Sequence, residues 1–253
     1  MGRIITFHGA DHRCGCSMLA QCAAEKAAGQ RPDCSVLLVH AEQSAGPMYS
    51  PGTGESMERL RPFLSERLMN IKEIIQRSFY KDNLYIIAGT DLPGSSESFH
   101  PDMSEWFMKS AAQSFDLVIC DSGANIEHGL ALGALFASDC IYMVLDQSES
   151  AFRRYEWLSP LYDKLALNIR GFVLNRFSKD SPFSRAYAAK RLGADRHRVF
   201  TVSASSYGDL AEIDERSLLG YRDDRFSEDM GTLAADVMRE AGLDPELNGQ
   251  VQL

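Results

Sequence analysis

"FHGADHRCGCSM", Phe7 to Met18, is the stretch on which the reading of this chain turns. It follows the apolar run "RIITF" and leads into "MLAQCAAEKAA", a small-residue segment of helical character. Strand, glycine-bearing turn and helix in that order outline a phosphate-binding loop. Glycines there let backbone N–H groups converge on phosphate oxygens at a helix N-terminus. Gly9, Gly15 and the hydroxyl of Ser17 stand where such a loop needs them. The residue before the hydroxyl is normally a lysine that reaches the β- and γ-phosphates, and here it is Cys16. The frame is present and the charge is not. A charged hydrogen bond contributes about 1.5–3 kcal/mol, so its loss should weaken nucleotide binding about ten- to a hundredfold. His12 and Arg13 are either substitute cations or solvated loop residues.

Outward from this loop, short aliphatic runs alternate with helix-length segments. The runs are "RIITF", "SVLLVH", "NLYIIAG", "DLVICD", "CIYMVLD", "GFVLN" and "VFTVSA". Several are apolar throughout, as expected of parallel strands covered on both faces. The pattern predicts an α/β fold with a mainly parallel twisted sheet of about seven strands and helices on both faces. In "FLSERLMNIKEIIQRSF", Leu64, Leu68, Ile71 and Ile75 share one helical face. Trp106 and Trp157 also fall on helical patterns and are expected to pack. The Gly-, Pro- and Ser-rich stretches 44–56 and 90–104 read as loops. Neither divides the chain, so one domain is expected over 1–245, with a frayed tail at 246–253.

The 253 residues suffice for one substantial core. A net charge of −9 argues against avid non-specific DNA binding by the whole surface. The charge is uneven, with eight Lys or Arg between positions 170 and 198 against Asp180 and Asp195. A solvated helix face explains that stretch, and a local contact with nucleic acid or a membrane is the alternative. There is no run of eighteen apolar residues and no signal-peptide layout, so a cytoplasmic location is expected. The six cysteines (14, 16, 22, 34, 120 and 140) do not form the framework of a small disulfide-rich chain.

The region "FDLVICDSGANIEHGLALGALFASDCIYMVLDQSES" resembles the corresponding part of the MinD/ParA family of dimeric P-loop ATPases. In that family a strand ends in Asp-Ser/Thr-Pro, matched here by Asp121 and Ser122, with Gly123 replacing the proline. "GRIITF", "NLYIIAGT" and "GFVLNRF" resemble further strands of the family, in the right order. The resemblance implies a P-loop NTPase-like fold and gives residues their expected roles. Gly9, Gly15 and Cys16 would belong to the phosphate cradle with Arg13. Ser17 would bind Mg²⁺, Asp121 would orient it through water, and Asn175 would read the base. Glu42 would stand where an acid positions the attacking water, and His40 where another Asp is common. The family's loop carries two lysines, replaced here by Asp11 and Cys16. An acid in place of the first reverses the local field, so efficient hydrolysis is not expected.

Three readings follow. In the first, the chain is a degenerate MinD/ParA-like scaffold for localisation or assembly. It acts as a homodimer, binds ATP or ADP with Mg²⁺ weakly, and turns over slowly or not at all. Its atypical loop resembles the TadZ/CpaE-like branch, which implies a protein partner in a secretion or pilus-assembly system and recruitment to the membrane or pole. In the second it is an active ATPase in which Arg13, or a partner's residue, supplies the missing cation. In the third it is a thiol or metal protein using Cys14 and Cys16, since a helix N-terminus lowers a thiol pKa.

Overall fold

Alternate residues of each central strand enter opposite layers of the core. Ile5 and Phe7 pack on one face of the sheet and Ile4 on the other, while Val36 and Leu38 alternate with Leu37 and Val39 in the same way. Burial of both faces is why these strands read as unbroken apolar runs. The computed structural model describes residues 1–42, 49, 55–68, 74, 77–90 and 99–243.

Among the described residues, eight strands form one sheet: β1 (Arg3–Gly9), β2 (Val36–His40), β3 (Phe79–Lys81), β4 (Leu84–Ile87), β5 (Leu117–Asp121), β6 (Cys140–Asp146), β7 (Ile169–Phe177) and β8 (Val199–Ser203). Their order is β3-β4-β2-β5-β1-β6-β7-β8. Every pairing is parallel except β3 with β4. The expected mainly parallel sheet is therefore present, with β3 as an additional antiparallel edge strand. Its three residues are exposed or half-exposed and lack the apolar run that marks the other strands.

One layer holds α1 (Cys16–Gln30) against α8 (Asp224–Glu240). The opposite layer holds α2 (Met57–Ser65), α3 (Pro101–Ala111), α4 (Gly129–Ala137), α5 (Glu149–Lys164) and α6 (Arg185–Arg191). A short helix, α7 (Gly208–Ile213), follows β8. Among the described residues, no helix is long and apolar enough to cross a membrane.

Three local expectations are corrected. The helix expected over Phe63–Phe79 is broken: α2 begins at Met57 and ends at Ser65, Arg67 turns back with φ +51°, and Ile74, Arg77 and Ser78 are helical again. Leu64 is buried but Leu68 is exposed, so the two do not share a packed face; Ile71 and Ile75 lie outside the described residues. Trp157 is 74% exposed, because α5 buries Ala151, Phe152, Leu158 and Tyr162 and turns Trp157 away. Trp106 does pack against the core. The loop expected at 90–104 ends where α3 begins at Pro101. The tail 246–253 and most of 44–56 lie outside the described residues.

Candidate functional site

The site lies outside the carboxyl ends of β1, β2, β5, β7 and β8, where open parallel sheets place ligands. The loop after β1 turns into α1 through Gly15, whose φ of +86° is left-handed. Only glycine fits there without strain, and space forbids a side chain as well. A Cβ on Gly15 would come within 2.2 Å of Asn175 Nδ2. Asn175 donates to the Cys14 carbonyl at 2.8 Å, and Arg176 donates to the Arg13 carbonyl at 2.9 Å. The end of β7 thus bolts the loop from beneath. Arg13, with φ +60°, is held in the left-handed region by this arrangement.

The N-terminus of α1 has no side-chain cap. It opens into a cavity of about 430 Å³ lined by Asp11 to Met18, Glu42, Tyr49, Gly123, Ala124, Arg176, Asp209 and Glu212. A neighbouring cavity of about 280 Å³ continues past Gly15 and Asn175 to Ser203–Ser206 and α7. Asp11, Glu42, Asp209 and Glu212 outnumber Arg13 and Arg176 in the larger cavity. Cys16, at the position where the sequence pattern expects a lysine, is buried, at 6% exposure. Burial, and next the Asp121 carboxylate, raise the Cys16 thiol pKa. Burial pushes the Cys14 thiol up to about 12. The lowering expected at a helix N-terminus is overridden, and neither thiol is a ready nucleophile.

Behind the loop, β2 and β5 pair so that His40 stands opposite Asp121. His40 Nδ1 lies 3.2 Å from Asp121 Oδ2. The Gly123 N–H donates to the other Asp121 oxygen at 3.1 Å. The Ser17 hydroxyl donates to Glu42 Oε1 at 3.0 Å, so the expected Mg²⁺ ligand is engaged with the expected water-positioning acid. Gly123, at φ +59°, leaves room for Glu42, whose Oε2 would lie 2.4 Å from a Cβ there. Burial, then the Asp121 charge, raises the Glu42 carboxyl well above the usual range. Burial also raises Asp121, but the His40 contact and charge, Ser17 and the Gly123 N–H outweigh it, and the net shift is downward.

The structure therefore brings Arg13, Gly15, Cys16, Ser17, Glu42, Asp121 and Asn175 to one site. Gly9 is buried at the end of β1, and its N–H donates to the Gly123 carbonyl at 2.7 Å. Asp11, in the first lysine's place, turns toward Arg154 of α5 at 3.6 Å. Sequence reasoning missed Tyr49, Arg176, Asp209 and Glu212. Asp209 and Glu212 carry the helical spacing of three that puts both on one face, but nothing local marks which face meets the loop. In the basic stretch, Arg170 and Arg198 pair with Glu240, and Arg191 pairs with Glu149 and Glu156. Arg185 donates to the Arg196 carbonyl. Three of the eight basic residues are thus ion-paired within the chain.

No protein-family model matches the chain, and no curated protein matches it in sequence. Solved structures do match in fold. A ParA family ATPase from Chlorobium tepidum superposes with a TM-score of 0.81 at 19% identity, covering 92% of this chain and 99% of that one. The septum site-determining protein MinD of Pyrococcus horikoshii, complexed with Mg-ADP, gives 0.78 at 16% identity over 96% and 98% of the two chains. The Aquifex aeolicus MinC:MinD cell division complex gives 0.73 at 14% identity over 94% and 96%. The architecture of this chain is that of the ParA/MinD P-loop ATPases.

Proposed function

We propose that the chain is a ParA/MinD-type protein, one domain over 1–245, that serves as a localisation or assembly scaffold and binds Mg-ATP or Mg-ADP weakly. The observation that carries this reading is the charge of the cavity. A buried neutral thiol occupies the lysine's place, and carboxylates outnumber arginines along the walls. The backbone suits a phosphate chain, because the uncapped N-terminus of α1 faces the cavity through a glycine turn. The side chains suit its charge poorly. The backbone N–H groups of Gly15, Cys16 and Ser17 would hold phosphate, with Asn175 beside the base. Ser17 and Asp121 would hold the Mg²⁺, which neutralises phosphate charge when bound. To do so Ser17 must leave Glu42.

Turnover should be slow or absent, since no lysine stabilises charge in the transition state. The chain would act as a homodimer meeting through the loop face, with a protein partner of a localisation, secretion or pilus-assembly system of the TadZ/CpaE kind. The MinC complex of the Aquifex MinD supports a role for partner proteins. Recruitment to a membrane or pole would come from such a partner, and the cytoplasm is its proposed compartment. A nucleic-acid or membrane contact through 170–198 is not favoured, given the net charge of −9 and the pairing of Arg170, Arg191 and Arg198 with carboxylates of this chain.

A second reading, an active ATPase, is favoured by one observation: Arg13 lines the cavity with its backbone pinned by Arg176. Phosphate release from Mg-ATP separates the two. We expect the wild type to match a Ser17→Ala control. Stimulated turnover of several per minute, abolished by Asp121→Ala, would establish the second reading.

A further inference from the structure

We propose that Arg154 of α5 is a positioning residue for the loop after β1: it draws the Asp11 carboxylate aside and keeps that charge from the phosphates of a bound nucleotide. Arg154 Nε lies 3.6 Å from Asp11 Oδ1. The same oxygen accepts the His12 N–H at 2.8 Å, so the carboxylate is tied both to the helix and to the loop's own backbone. Asp11 lines the cavity, whereas Arg154 does not. The pair spans the wall, with the acid inside and the cation behind.

The chain path explains how α5 reaches the loop. β6 ends at Asp146 and α5 starts at Glu149, so the first turns of the helix stand beside the carboxyl ends of β1 and β6. The Ala10 N–H, at the start of the loop, donates to the Val144 carbonyl of β6 at 2.8 Å. Long side chains lean toward the N-terminus of their own helix, which carries Arg154 toward the loop. Its charge also opposes protonation of His8, buried in β1 just before the loop. Among the described residues, Asp11 is the one carboxylate in ion-pair range of Arg154, and the Arg154 Nε makes no other polar contact.

On its other side the loop is held by Arg176 and Asn175 of β7, which bind the Arg13 and Cys14 carbonyls. Those bonds fix backbone and leave the Asp11 charge untouched. A carboxylate released from Arg154 would face the phosphates from the wall of a cavity that already holds Glu42, Asp209 and Glu212. Like charges at short range repel, and more strongly where water is partly excluded. Arg154 therefore matters to nucleotide binding only while position 11 carries a charge.

The geometry of the pair stands without a nucleotide, and its consequence rests on the nucleotide binding proposed above. Two measurements keep these apart. Exchange of the His12 amide with solvent is followed by NMR in the nucleotide-free protein. Arg154→Gln should speed it about fivefold or more, and Arg154→Lys should keep it within about twofold of the wild type. Mg-ADP is then titrated calorimetrically into the wild type, Arg154→Gln, Asp11→Asn and the double variant, each checked for folding by circular dichroism. Arg154→Gln should lower affinity about fivefold or more on its own and less than about twofold in the Asp11→Asn background, as expected of two residues acting as one pair. Unchanged His12 exchange in Arg154→Gln overturns the proposal whether or not nucleotide binds. An equal loss of affinity in both backgrounds also overturns it, since Arg154 would then act on the phosphates by itself. A wild type that binds no Mg-ADP refutes the nucleotide reading and leaves His12 exchange to decide this one. If Arg154→Gln does not fold, Asp11→Asn breaks the pair from the other side and should speed His12 exchange to the same extent; unchanged exchange there overturns the proposal.

Discussion

At the scale of single residues, buried His8 and half-buried Glu42 give this protein opposite pH dependences. His8 is fully buried, and burial lowers its pKa from 6.5 to about 4, with the Asp121 charge opposing. Its folded pKa lies below the unfolded value, so the unfolded state takes up a proton first as pH falls. Stability is complete above pH 6.5 and is lost down to about pH 4. At 1.36 kcal/mol per pKa unit the loss amounts to about 3 kcal/mol. Urea unfolding at the two ends of that range should show it in the wild type and not in His8→Gln. Glu42 works the other way. Its folded pKa is raised, so the folded state keeps a proton that the unfolded chain gives up. Stability from Glu42 is full below about pH 4.5 and declines from there until about pH 9. Glu42→Gln, which keeps the neutral shape, should flatten that decline when melting is followed from pH 6 upward. A variant that melts in parallel with the wild type would count against a protonated Glu42.

On the scale of elements, the loop and the end of β7 behave as one unit. Asn175 fills the space that a side chain on Gly15 would need. Gly15→Ala should destabilise the fold by about 1–3 kcal/mol, from left-handed strain plus the clash. Asn175→Ala should cost about 1–3 kcal/mol by leaving the buried Cys14 carbonyl without its donor. Because the clash disappears with the Asn175 side chain, the double variant should cost less than the sum, with a coupling of about 0.5–3 kcal/mol. Strict additivity in denaturant titrations would show that the two residues act separately.

Most elements were legible because burial on both faces writes itself into the strands. "VLLVH" and "LVICD" admit no other assignment at that length. The helix after position 56 was misjudged because apolar spacing continued past Ser65, although Arg67 reverses the chain there. The strand at Phe79–Lys81 was missed because an exposed edge strand carries no apolar run. In the site, the loop was legible as a local motif. The contact of His40 with Asp121 was not, because the two lie 81 positions apart and meet through strand register. Trp157 shows the opposite limit: helical spacing places it on a helix without telling which face is covered.

For the whole molecule, the fold is that of the ParA/MinD ATPases, and the proposed reading is that the charges serving a triphosphate are rearranged. The proposed two-fold dimer is checked by sedimentation velocity at high protein concentration. A dimer is expected with Mg-ATP, and a monomer under every condition would remove the scaffold reading's assembly step. The central claim, a phosphate cradle without its cation, is tested most directly by calorimetric titration of Mg-ATP into the wild type and Cys16→Lys. A charged hydrogen bond restored at the N-terminus of α1 is worth about 1.5–3 kcal/mol. The account therefore predicts weak binding by the wild type and affinity about ten- to a hundredfold higher in the folded variant. Equal affinity in the two proteins would contradict it.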